Sequence, residues 1–289
     1  SFHVTGVQTC ALPICMAQAL PQALGQSFVV ENRPGAGGLI GTDAAAKAAP
    51  DGYTVLMTVS APITLNPYFY SKLPYDPVRD FAAIAMIASV PYVMLVKPDV
   101  PANNIKELVA LAKSKPGQMN YASTGIGSTP HLCSAMFAVA TGIDIVHVPY
   151  KGPPQALNDV FGGRIEMTIV TLGTARPLEK AGKIKILALL EPRRFAGAPD
   201  VPTFTETVPS FEKPASWYAL FGQPALPRPI VMRLYRELAA SLKTPEARNW
   251  LETNLHTGVG NTPEEFAVAY KQAFEGFARA AKLAVIKPE

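Results

Sequence analysis

The chain has 289 residues, 48% of them hydrophobic and 17% charged, with a mean hydropathy of +0.15. That suits one large or two modest globular domains and excludes a long disordered tail. Lys and Arg outnumber Asp and Glu by 26 to 22, and the one adjacent basic pair is Arg193-Arg194, so no nucleic-acid footprint is present and small anionic partners are favoured only weakly. The longest apolar stretch, Phe81 to Val96, is broken by Ser89 and Pro91 and falls short of the roughly 20 residues that cross a bilayer, so no direct membrane insertion is expected.

In chain order, Ser1 to Cys15 carries no Lys or Arg and does not read as a secretory signal. Its run Val4-Thr5-Gly6-Val7-Gln8-Thr9-Cys10-Ala11-Leu12-Pro13-Ile14 resembles the translation of a sequencing-adaptor oligonucleotide fused in frame to a truncated gene. Residues 1–15 are therefore set aside as a non-native segment, a genuine variable arm being the alternative. Cys10 and Cys15 lie in or against this run, which leaves Cys133; one cysteine makes no internal disulfide, and the redox compartment stays open.

Short β-rich runs at Phe28 to Val30, Tyr53 to Met57, Tyr92 to Val96, Ile143 to Val148, Met167 to Val170 and Ile184 to Leu190 alternate with helical patterns, which predicts an α/β architecture with mainly parallel sheets. The Glu31 to Gly41 connection is rich in glycine, suits tight turns, and is expected to be structural, with Arg33 free to pair with an acid. An Ala-rich helix ends at Pro50. Asn104 and Glu107 form a plausible capping box ahead of an apolar face of Ile105, Leu108, Val109 and Ala112. Thr262-Pro263-Glu264-Glu265 opens a second helix with a stripe of Phe266, Ala269, Tyr270 and Phe274, and the C-terminal region, including Pro229 to Leu242 and Pro245 to Leu251, reads as mostly helical. The 28 prolines cluster in connections such as 97–101 and 223–227, which suggests one lobe inserted in another; a single sheet with Pro-rich loops fits the composition equally well.

Tyr121-Ala122-Ser123-Thr124-Gly125-Ile126-Gly127-Ser128-Thr129-Pro130-His131 leaves a strand and enters an apolar helix. Glycines admit a ligand close to the backbone, Ser123, Ser128 and Thr129 can donate, and first-turn amides favour an anion such as a carboxylate. The spacing is neither a Walker loop nor a dinucleotide fingerprint, and a plain strand-to-helix link remains the alternative. A second hydroxyl-rich loop, Thr58 to Pro67, would face the first across a crevice at the carboxyl ends of the strands, unless the two are unrelated surface loops. Catalytic constellations are missing: His3, His131, His147 and His256 show no metal-ligand spacing, Ser128 lacks the nucleophile elbow, and no carboxylate pair suggests acid/base work. A Ser128/His131 pair is conceivable, though such a histidine more often caps, packs or contacts a ligand.

Together, Val30-Glu31-Asn32-Arg33-Pro34-Gly35-Ala36-Gly37-Gly38, Asp51-Gly52-Tyr53-Thr54, Leu73-Pro74-Tyr75-Asp76-Pro77, His147-Val148-Pro149-Tyr150-Lys151-Gly152, Gly162-Gly163-Arg164, Ala181-Gly182-Lys183, Pro199-Asp200-Val201-Pro202-Thr203 and Trp217-Tyr218 are similar to the Bug proteins, substrate-binding components of tripartite tricarboxylate transporters. The similarity runs from about Met16 to the C-terminus. It implies a two-lobed periplasmic-binding-protein-like (type II) fold, with lobe 1 over 16–100, lobe 2 over 101–220 and a mainly helical completion of lobe 1 over 221–289. It further implies a periplasmic, monomeric, non-enzymatic receptor without cofactor or metal, which closes like a venus flytrap about hinges near Val96 to Pro101 and Ser216 to Pro224. Its partners would be a small organic acid and the transporter's membrane components.

By the same resemblance the ligand is held by Ser60, Ala61, Thr64 and Asn66 on one side and by Ser123, Thr124, Gly125, Gly127, Ser128, Thr129 and His131 on the other. Trp217 and Tyr218 are candidates for a cleft wall. The family's opening strand and first loop are expected to be missing, which would cost core and backbone pairing. Where amino-acid-binding members carry an Asp, this chain has Val170 and Thr171, so an amine-free acid is expected, since a buried ammonium would lack a partner. Lys151 reads more readily as solvated or structural than as a clamp, and Arg164 as solvent-facing. An enzyme of hydrolase or isomerase type with His131 as base, and a sensor presenting its ligand to a signalling receptor, are the other readings.

Overall fold

The computed structural model describes residues 2–6, 25, 27–33 and 35–284. Two mixed sheets flanked by helices form two lobes. The first contains β1 (Phe2–Gly6), β2 (Phe28–Asn32), β3 (Thr54–Val59) and β4 (Ala82–Ser89), and the second β5 (Tyr92–Val96), β6 (Met119–Ser123), β7 (Ile145–Pro149), β8 (Met167–Thr171) and β9 (Lys185–Leu189). The chain then returns to the first sheet as β10 (Trp217–Gly222) and β11 (Thr257–Gly258). The orders are β11-β4-β10-β3-β1-β2 and β7-β6-β8-β5-β9.

Parallel pairing, the expected majority, is confined to β1, β2 and β3 in one sheet and β6, β7 and β8 in the other. The strands that carry the chain between lobes run against their neighbours: β10 is antiparallel to β3 and β4, and β5 to β8 and β9. A strand entering from the other lobe arrives without a crossover helix and so can pair in this sense.

The slot in the first sheet that the sequence leads one to expect empty is filled by Phe2–Gly6, which runs parallel between β2 and β3 with Val4 opposite both Val30 and Val55. Ladder hydrogen bonds are made by backbone, so a short run containing Val and Thr can occupy such a slot whatever its origin. Cys10 and Cys15 lie outside the described residues.

The helices are α1 (Leu39–Ala46), α2 (Ser60–Thr64), α3 (Asn66–Phe69), α4 (Ile105–Ser114), α5 (Thr129–Thr141), α6 (Pro153–Phe161), α7 (Leu172–Lys180), α8 (Arg228–Ser241), α9 (Pro245–Thr253) and α10 (Pro263–Leu283). Asn104 caps α4 by accepting the Glu107 amide at 2.9 Å, while Glu107 reaches back to the Asn103 amide at 2.7 Å. At α10 the box is reciprocal, Glu265 N to Thr262 Oγ1 at 3.2 Å and Thr262 N to Glu265 Oε2 at 2.9 Å. The apolar stripe of α10 lies on the first sheet, where Phe266 meets Trp217 and Phe221 with ring centroids 5.5 and 5.2 Å apart.

The chain changes sheet between Ser89 and Tyr92, earlier than the proline-rich 97–101 connection suggests, and returns just before Trp217. Tyr92 to Val96, assigned by sequence to lobe 1, thus belongs to the second sheet, and Trp217 to Leu220, assigned to lobe 2, to the first. The crossings are tied together, Val90 N donating to the Ser216 carbonyl at 2.9 Å. Beside them the wholly buried Lys213 ammonium meets Glu191 at 3.1 Å, the Pro214 carbonyl at 2.9 Å and Ser216 Oγ at 3.1 Å. Among the described residues no helix is long and apolar enough to cross a membrane.

Candidate functional site

The parallel strands β2, β3, β6, β7 and β8 end at a cleft between the lobes, as ligand sites in open α/β sheets do. Two connected chambers occupy it. The smaller, about 210 Å³, is lined by Gly35 to Gly38 after β2, Val59 and Ala61 after β3, Thr124 to Ile126 and Ser128 to Pro130 after β6, Tyr150 and Lys151 after β7, and Tyr70 and Tyr92. The larger, about 470 Å³, shares Tyr92, Thr124, Pro130 and Lys151 with it and continues over α6, the end of β8 and α7.

The loop after β6 is braced from within. Ser128 Oγ donates to the Gly125 carbonyl at 2.6 Å and accepts the His131 amide at 3.4 Å, capping α5, while Ser123 Oγ accepts the Gly125 amide at 3.1 Å. The Thr124, Ile126 and Gly127 amides make no hydrogen bond among the described residues. The Gly35 to Gly38 loop closes on this one from the other lobe, and Tyr70 donates its hydroxyl to the Ile126 carbonyl at 3.3 Å. Two glycines are obligatory there. A Cβ on Gly37 (φ +58°) would stand 2.5 Å from the Ile126 oxygen, and one on Gly127 (φ +74°) 2.6 Å from Asn66 Oδ1.

Of the residues expected at the site, Thr124, Gly125, Ser128 and Thr129 line the small chamber together with Ala61. Val170, Thr171 and Tyr218 line the large one. Ser60, Thr64 and Asn66 are buried to within 1% and form no part of either wall; the segment read as a loop is instead the two helical turns α2 and α3. Thr64 Oγ1 bonds back to the Ser60 carbonyl at 2.8 Å, and Asn66 donates to the Tyr75 hydroxyl at 3.3 Å. Gly127 packs on Asn66 behind the wall, and Ser123 is buried beneath it.

Trp217 stands apart from the cleft: neighbours on a strand point to opposite faces, so Tyr218 reaches the chamber while Trp217 fills the core against α10. His131 also lies behind the wall, in a column of rings. His147 stacks on it at 4.0 Å and 7°, Phe69 of the other lobe covers it at 5.0 Å, and Tyr121 stacks on His147 at 5.0 Å. Burial, reinforced by the neighbouring imidazole, pushes His131 down to about 3, and burial pushes His147 down to about 4, so both rings are neutral near pH 7. His147 Nε2 lies 2.7 Å from Ser123 Oγ and thereby supports the loop from below.

The sequence reading assigned Gly35 to Gly38 a structural role, yet these residues form a wall of the small chamber. Arg33 does pair with an acid, Glu31, at 2.8 Å. Lys151, expected to be solvated or structural, is exposed and stands on the partition between the chambers. Tyr150 is held by its hydroxyl donating to Asp159 at 2.6 Å, and Arg164 pairs with that Asp at 2.7 Å while facing solvent as expected. The signal that could have found this wall is positional, since each of these segments directly follows a parallel strand.

Two α/β lobes joined by paired crossings around such a cleft define the class of two-lobed solute-binding proteins. Residues 14–265 match the model of the tripartite tricarboxylate transporter family receptor, TctC, and the chain belongs to that family. It is 32% identical to Protein BugT of Bordetella pertussis over 262 residues, 90% of this chain and 80% of the relative. Its fold matches periplasmic binding protein BugD with a TM-score of 0.91 at 29% identity, over 100% of this chain and 98% of the other. It also matches an R. palustris protein solved with adipate, with a TM-score of 0.94 at 30% identity and the same coverage.

Proposed function

We propose that this protein is a periplasmic receptor that captures a small, amine-free organic carboxylate between its lobes and delivers it to the membrane components of a tripartite tricarboxylate transporter. The observation that carries this reading is the composition of the cleft. Glycine-loop residues from both lobes line the small chamber, among them Thr124 and Ile126, whose backbone amides have no partner among the described residues; one cation, Lys151, stands on its wall, and no Asp or Glu lines the described walls of either chamber. Hydrogen bonds from amides to a charged acceptor contribute about 1.5–3 kcal/mol each, enough for a few to hold a carboxylate. An ammonium would find no counter-charge there and would forfeit its hydration. The adipate bound by the R. palustris relative supports a carboxylate as ligand.

The same geometry supports binding without turnover. His131, the candidate base, is partly buried, lines neither chamber and is kept neutral by burial, and Ser123, beside His147, is fully buried. The direct test is calorimetry on matched pairs such as succinate with aspartate and glutarate with glutamate. The amine-free acid of each pair is expected to bind at least about tenfold more tightly; an amino acid binding more tightly than its partner would refute the reading.

A further inference from the structure

The two chambers differ in chemistry, and the difference specifies the body of the acid. The large chamber is walled by Pro153, Leu157 and Phe161 of α6, Ile169 and Val170 of β8, and Leu178 of α7. Its Thr171 and Thr174 hydroxyls share one hydrogen bond at 2.9 Å. Lys151, the one charged side chain on the described walls, sits at the partition, within reach of the small chamber and at the edge of the large one. The cleft therefore offers one anion seat, and beyond it a largely apolar volume of about 470 Å³, with Asn158, Thr171, Thr174 and Tyr218 among its polar side chains, within the size range of ligand pockets.

We infer that the receptor selects acids bearing a single carboxylate on an apolar aliphatic or aromatic body, the carboxylate seated among the loop amides and the body in the large chamber. This rests on the carboxylate-receptor reading and narrows it. A second carboxylate carried into the large chamber would lie against Leu157, Val170 and Leu178 and would find among the described lining no cation besides Lys151, which the first carboxylate already engages, so it would lose its hydration with little return. An apolar body there gains by leaving water, in proportion to the surface it hides. Phe161, 41% exposed at the rim, is in place to cover the end of such a body.

The test is calorimetry on the whole chain with acids matched in body and differing in charge: hexanoate against adipate, and benzoate against terephthalate, with acetate as the bodiless control. Hexanoate and benzoate are expected to bind at least about tenfold more tightly than their diacid partners and than acetate. Val170→Asp should weaken benzoate by at least about tenfold. Phe161→Ser, at an exposed position that does not threaten folding, should weaken benzoate and leave acetate unchanged. Adipate or terephthalate binding as tightly as its monoacid would overturn the apolar-body assignment and leave the receptor reading standing. Absence of binding by every acid to cooperatively melting protein would overturn both.

Discussion

At Gly37 and Gly127 the backbone conformation and the available space agree: both have positive φ, and both sit where a methyl group would strike the opposite loop or Asn66. Gly37→Ala would press the two lobes apart at the Ile126 carbonyl, and is expected to weaken carboxylate binding by about tenfold or more in a titration while shifting the melting temperature little. An unchanged affinity would show that the first loop is not a wall of the seat. The histidines give a second residue-scale prediction. Burial pushes His131 down to about 3 and His147 and His256 to about 4, whereas an unfolded histidine titrates near about 6.5. As the pH falls from 6.5 toward 4 the unfolded chain therefore takes up protons that the fold refuses, and stability drops. Urea midpoints measured between pH 7 and 4.5 should fall steadily, and His131→Gln with His147→Gln should flatten that slope. The opposite trend would mean that the rings are charged in the fold.

Among the elements, those set by local chemistry were readable. The caps at Asn104 and Thr262 were legible because a side chain three residues away decides them, and Tyr92 to Val96 because its five apolar residues are buried on both faces. Besides β1, in the segment set aside, and the two-residue β11, two strands escaped. Ala82–Ser89 buries its residues without strict alternation, and Trp217–Gly222 is buried throughout, so neither carries the period of two that marks a strand. Pairing across 161 positions of sequence, as between Thr58 and Ala219, leaves no local trace at all. The Lys213–Glu191 pair at the crossings is another feature invisible to local pattern. Glu191→Gln would leave the buried ammonium without its counter-charge and is expected to cost about 3 kcal/mol. Adding Lys213→Met should recover much of that loss in a double-mutant cycle of denaturant midpoints; strict additivity would show that the pair is not coupled.

For the whole molecule, the α/β class and the loop after β6 could be read from the chain, because each depends on composition, order of elements or a short motif, whereas the two lobes came from the family resemblance, a single sheet fitting the composition equally well. The place of Gly35 to Gly38 on the cleft and the contrast between the chambers could not, since both arise from strand ends that meet only in the fold. Closure shows in contacts far from the seat as well. Gly173, in the first turn of α7, lies against the backbone of Asn254 after α9, where a Cβ would come within 2.1 Å of its oxygen, and Leu255 packs on the core of the other lobe. A ligand held by both lobes stabilises this arrangement by mass action, which at a concentration of about 100 Kd amounts to about 2.7 kcal/mol. The most direct measurement is accordingly a thermal-shift screen of mono-, di- and tricarboxylates and amino acids on the whole chain. An amine-free acid should raise the melting temperature by about 5 °C while amino acids leave it unmoved. A flat response to every acid from protein that melts cooperatively would contradict the account.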